Sequence, residues 1–168
     1  MAPIKANEAL ISRLTGPRFA TRKAVFIAGL KQRYNSKTMN AIPAQWERFV
    51  RYLGKIPGQV GRATYGLIYN KGKNTDSFEY LSGVEVAGCS GLPPEFSCVN
   101  IPAHKYAVFP HHEHVSKLKE TMESISHKQL PGTASKTDNV PGAIERYGEG
   151  FNPQTGMGDI EVWVPIQV

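Results

Sequence analysis

The sequence predicts an α+β domain made of two consecutive β-α-β-β units, and three observations carry that expectation. The order strand, helix, strand, strand can be read twice along the 168 residues. Each reading takes about 75 residues, too thin for a core of its own, so the two units should join their sheets and share one. Composition is that of an ordinary globular chain, 40% hydrophobic and 20% charged, which excludes disorder and fibrous repeats.

Arg18–Leu30 is rich in β-branched and aromatic residues, ends at Gly29 and reads as one strand. Ile42–Leu53 places Ile42, Trp46, Phe49, Val50 and Leu53 at helical spacing, with Asn40 as its cap, Pro43 in the first turn and Gly54 as its stop. Ala63–Asn70 and Ser77–Val86 read as strands joined by the turn Lys71-Gly72-Lys73-Asn74. In the second half, Phe96–Phe109 reads as a strand, and Val115–Ile125 as a helix with Val115, Leu118, Met122 and Ile125 on one stripe. Leu130-Pro131-Gly132 ends that helix, and the polar stretch to Asn139 reads as a loop. Ala143–Tyr147 and Asp159–Ile166 complete the repeat as strands. The whole chain is expected to be one domain, with halves at about 18–87 and 96–168 and an extension over 1–17. In that extension Leu10, Ile11 and Leu14 have helical spacing.

The net charge of +6 conceals a division. Residues 1–73 hold fourteen Lys/Arg against two acids, a balance of +12, and residues 74–168 carry the compensating −6. The basic residues are dispersed, with no run longer than Arg22-Lys23, so a solvated surface is expected and direct nucleic-acid binding is not. A site that seeks cations belongs in the second half. No stretch reaches the roughly 18 apolar residues of a membrane span, and the start lacks the charged-then-apolar order of a secretion signal; the expected setting is the cytoplasm, with no membrane partner. Cys89 and Cys98 lack CxxC spacing and are expected as thiols in the connector between halves. His111-His112-Glu113-His114 supplies two ligands at helical spacing and no third or fourth, so neither a metal nor any other cofactor is expected.

Two acids stand out. Strand alternation puts Glu145 on one face with Tyr147, and Glu161 on one face with Trp163. A carboxylate beside an aromatic ring suits an organic cation, which gains charge neutralisation and attraction to the ring face. Trp46, Tyr65, Tyr80, Tyr106 and Phe109 are further candidate pocket walls. P-loop, GxSxG and dinucleotide-binding signatures are absent.

Gly142–Tyr147 (GAIERY) followed by Glu161–Ile166 (EVWVPI) resembles the close of the DNA gyrase inhibitor-like family, a module that also serves as the effector-binding domain of arabinose-regulator-type transcription activators. Tyr65–Tyr69 (YGLIY), Tyr80–Val86 (YLSGVEV) and Ile101–Phe109 (IPAHKYAVF) agree with its other strands, so the resemblance runs from about Arg18 to Val168. It implies antiparallel sheets with a ligand cleft between the halves, open to bulky hydrophobic cations. The family's pocket carboxylate maps onto Glu145 or Glu161, and its aromatic positions onto Trp46, Tyr80, Tyr147 and Trp163. No helix-turn-helix segment precedes Arg18, so a stand-alone module is expected, its partner an amphipathic cation and, beyond that, a separately encoded DNA-binding or regulatory chain. The alternative that the resemblance raises is a hydrolase of reactive electrophiles using the pocket acids; a gyrase- or nucleic-acid-associated regulator is the third reading.

Overall fold

A change of partner splits each of the two long strands read from the sequence, and in the second a proline stands at the break. The computed structural model describes residues 17–72, 75–127 and 140–166. In it Arg18–Leu30 divides into β1 (Arg18–Arg22) and β2 (Val25–Tyr34). The first half continues through helix α1 (Ile42–Val50), β3 (Gln59–Tyr69) and β4 (Phe78–Val86). The second half repeats the order with β5 (Ser97–Ile101), β6 (His104–His111), α2 (Leu118–His127), β7 (Ala143–Tyr147) and β8 (Ile160–Ile166). Pro102 stands between β5 and β6, where the missing N–H cannot serve a ladder. The readings for Met1–Gly16 and for Leu130–Asn139 lie outside the described residues.

Among the described residues all strand pairs are antiparallel and form one sheet in the order β1-β6-β8-β7-β3-β4-β2-β5. Exchanging the two halves reverses this order onto itself, so a pseudo-two-fold axis passes between β3 and β7. The short leading strands cross over: β1 pairs with β6 of the other half, and β5 with β2. The duplicated β-α-β-β plan holds, with one continuous sheet where two joined sheets were expected.

Helix α1 starts after Ala41, which makes no side-chain cap; Asn40 sits inside a preceding 3-10 turn, so the expected cap is displaced by one residue and idle. Pro43 occupies the first turn as expected, and Gly54 takes a positive φ of 84° beyond the end. Gln45, fully buried, locks the helix to the sheet. Its amide donates to the Leu30 carbonyl (2.8 Å) and to the Ser82 hydroxyl (3.1 Å), while its oxygen accepts from the Tyr34 hydroxyl (2.6 Å). The His cluster opens α2. His114 Nδ1 accepts from the Ser116 amide, and His111 Nε2 donates to the His114 carbonyl at 2.9 Å.

Both sheet faces are buried. Under the helices lie two clusters, Ala28, Phe49, Val84 and Val86 beneath α1, and Phe109, Tyr147, Ile160 and Val162 with Leu118 and Ile125 of α2. Trp46 packs against both. On the opposite face Ile27, Tyr65, Leu67, Tyr106, Val108, Ile144 and Trp163 bury one another, without a helix among the described residues. Arg22 of β1 there reaches Tyr65 of β3, four strands away in the order, so the sheet curls round this face. Cys89 and Cys98 form a disulfide, which corrects the expectation of thiols. The connector doubles back through Gly91, at φ 76°, and brings the two Cα atoms to 5.9 Å, within bonding reach. Among the described residues no helix is long and apolar enough to cross a membrane.

Candidate functional site

The β7–β8 register separates the two candidate acids. Glu145 is paired with Val162, and Arg146 with Glu161. Paired residues share a face, so Glu145 lies on the helix-bearing face and Glu161 on the curled one. The acid-then-aromatic pattern is thus the same on both strands, while the surroundings differ.

Glu145 is 7% exposed and sits among rings drawn from three elements. Its Oε1 accepts from the Tyr80 hydroxyl of β4 at 2.6 Å and from the Tyr147 hydroxyl at 3.0 Å. Tyr80 in turn accepts from the Trp46 indole N–H at 2.9 Å. The Trp46 ring meets the Tyr147 ring edge-on at 5.4 Å, and Phe151 packs against Tyr147 at 5.0 Å. Helix α1, held by Gln45, therefore delivers Trp46 over the place where the halves join. Burial raises the Glu145 carboxyl above the ordinary glutamate value, partly offset by the two phenol hydrogen bonds. Burial and then the neighbouring carboxylate push both phenols well up, so they remain neutral donors. Among the described residues no Lys, Arg or His forms an ion pair with Glu145.

Glu161 is already answered by the protein. It accepts from Arg18 at 2.6 Å, from the Trp163 indole at 3.3 Å and from Arg146 at 3.4 Å. Burial alone would raise its carboxyl, yet Arg18, Trp163 and Arg146 together outweigh that and hold it low. The rings of this face are answered too. Arg18 lies over Trp163 at 5.7 Å, and Arg22 lies over Tyr65 at 4.9 Å and over Trp163 at 5.5 Å. Tyr106 packs edge-on against Trp163, its buried hydroxyl unpartnered among the described residues. Phe109 belongs to the helix face, within the cluster under α2.

The structure thus brings Trp46, Tyr80, Glu145 and Tyr147 together and sets Tyr65, Tyr106, Glu161 and Trp163 apart on the other face. Sequence reasoning passed over Phe151 and Gly66. A glycine inside the otherwise apolar run Tyr65–Tyr69 was the available signal for the latter. No group of three or more His, Cys, Asp or Glu among the described residues is placed to hold a metal ion.

A duplicated antiparallel sheet with a buried carboxylate ringed by aromatics defines a small-molecule binding domain. The chain belongs to the GyrI-like small molecule binding domain family, whose sequence model matches residues 15–167. It is 24% identical over 151 residues to the transcriptional regulator BrlR of Pseudomonas aeruginosa, covering 89% of this chain and 54% of BrlR; the chain spans about half the length of that relative. The fold is similar to that of SAV2435 solved with bound tetraphenylphosphonium (TM-score 0.69, 17% identity, 91% of this chain and 94% of that one). It is also similar to an integron cassette protein from the mobile metagenome of Vibrio cholerae (TM-score 0.63, 16% identity, 92% and 97%).

Proposed function

We propose that the domain binds a bulky hydrophobic cation on the helix-bearing face, with Glu145 as counter-charge and Trp46, Tyr80 and Tyr147 as walls. One observation carries this reading. Of the two acid–aromatic pairs, Glu161 and Trp163 already hold the guanidinium groups of Arg18 and Arg146 or Arg22, whereas Glu145, among the described residues, is met only by neutral phenols. A buried carboxylate without a cation favours any ligand that brings one. Flat rings add dispersion and ring-face attraction without a hydrogen-bond code, which accommodates varied shapes while favouring positive charge. Tetraphenylphosphonium in a protein of the same fold is a ligand of this class. Likeness to a transcriptional regulator supports a role in which occupancy is relayed to a DNA-binding segment or chain.

Calorimetric titration with tetraphenylphosphonium and with neutral triphenylphosphine oxide tests the reading. Wild type should favour the cation, and Glu145→Gln should weaken its binding by roughly 2–4 kcal/mol while leaving the neutral compound almost unchanged. Glu161→Gln should keep the preference. A Glu145→Gln protein that still prefers the cation as wild type does would contradict the proposal.

A further inference from the structure

Gly66 lies in the interior of β3, opposite Glu145 on β7 and opposite Ser82 on β4. A Cβ at this position would stand 2.3 Å from the Tyr80 hydroxyl oxygen, 2.4 Å from Glu145 Oε1 and 2.9 Å from Tyr80 Cζ. Its φ is not in the left-handed region, so the strand itself does not demand glycine. Gly29 and Gly83 differ. A Cβ there would strike main chain of the partner strand, 1.9 Å from the Ser82 carbonyl oxygen or 2.5 Å from that of Ala28, so those two serve close strand approach. At Gly66 the nearest atoms are the polar tips of the two side chains that the candidate site depends on.

The strand order explains why this position is special. The axis relating the halves runs between β3 and β7, so the facing pair Gly66 and Glu145 stands where the halves meet. One half contributes the carboxylate, and the other contributes the space it occupies. With a side chain on both strands the carboxylate and the Tyr80 hydroxyl could not share that place.

We infer that Gly66 is the residue that sets charge selectivity in this domain, by leaving the room in which Glu145, Tyr80 and Tyr147 converge. The inference rests on the cation-binding reading above. Gly66 is a positioning residue: it need not touch the ligand, and any substituent at Cβ must move either the carboxylate or the phenol. The consequence is specific. Cation affinity should fall with the displaced carboxylate, while a neutral ligand held by the same rings should be little affected.

The test is a double-mutant cycle read by calorimetry with tetraphenylphosphonium and triphenylphosphine oxide. Gly66→Ala is expected to weaken cation binding at least tenfold and neutral binding by less than twofold. Gly66→Ala combined with Tyr80→Phe removes the oxygen nearest the new methyl, so its loss should be smaller than the product of the two single losses. That non-additivity is a readout that a general loosening of the fold does not produce. Should Gly66→Ala fail to fold, the double variant is expected to fold and to bind the cation more weakly than wild type. Unchanged cation preference in Gly66→Ala, multiplicative losses, or failure of both variants to fold would each overturn the inference. A wild-type protein without cation preference would instead sink the reading it rests on, and that is measured first.

Discussion

Glu145 and Glu161 occupy the same local pattern, an acid followed two residues later by an aromatic, and opposite electrostatic positions. Because burial raises the Glu145 carboxyl, the folded state holds a proton more tightly than the unfolded chain does. Stability therefore falls as pH rises through the interval between the ordinary value of 4.5 and the raised one, and the full penalty is present above it. Glu145→Gln should remove that penalty and raise Tm at pH 7 by about 2–4 °C, the equivalent of roughly 1 kcal/mol in a chain of this size. The gain should vanish below the ordinary value. Glu161 is held low, so its contribution is present above the unfolded value and lost as pH falls through the folded one. Glu161→Gln should lower Tm at pH 7 by a similar amount, modest because Arg18 is half exposed. Circular dichroism melts of both variants at two pH values check this, and a destabilised Glu145→Gln at pH 7 would count against it. A group that costs stability where it stands accords with the proposed role of Glu145. Residue types and spacing made both acids legible as candidates. Alternation on one strand could not say which face each would take, since that depends on Glu145 meeting Val162 and Arg146 meeting Glu161.

At the scale of elements, helices and strands were legible where periodicity is strong, as at Trp46 and Phe49 or along Glu161–Ile166. The breaks at residues 23–24 and 102–103 were not read. At 102–103 the proline was a local signal; at 23–24 the division arises from a change of partner strand, which leaves no local trace. The Cys89–Cys98 bond was missed for the same reason: the pairing depends on a reversal of the connector that the spacing alone does not announce. The crossed strands have an energetic consequence. Without the second half, β1 and β2 lose β6 and β5, and β3 loses β7, leaving backbone donors and apolar residues of each uncovered. A fragment spanning Met1–Val86 is therefore expected not to unfold cooperatively as a monomer, measured by urea titration at several concentrations. A sharp, concentration-independent transition would refute it.

For the whole molecule, the duplication places two unlike surfaces back to back. The curled face is filled by its own arginines, Arg18, Arg22 and Arg146, and the helix-bearing face holds a buried carboxylate with which no Lys, Arg or His pairs among the described residues. Resemblance in the closing strands pointed to the family, and the family match over residues 15–167 bears it out. It could not choose between two acids at equivalent pattern positions, because what sets their surroundings apart is the β7–β8 register and the contact of Glu161 with Arg18, 143 residues away. The central claim, that an organic cation seats over Glu145 between Trp46 and Tyr147, is tested most directly by a crystal structure with tetraphenylphosphonium. The account predicts phosphorus nearer Glu145 than Glu161, with phenyl rings against Trp46 and Tyr147. A cation lodged on the curled face against Trp163 and Tyr65, displacing Arg22, would contradict it.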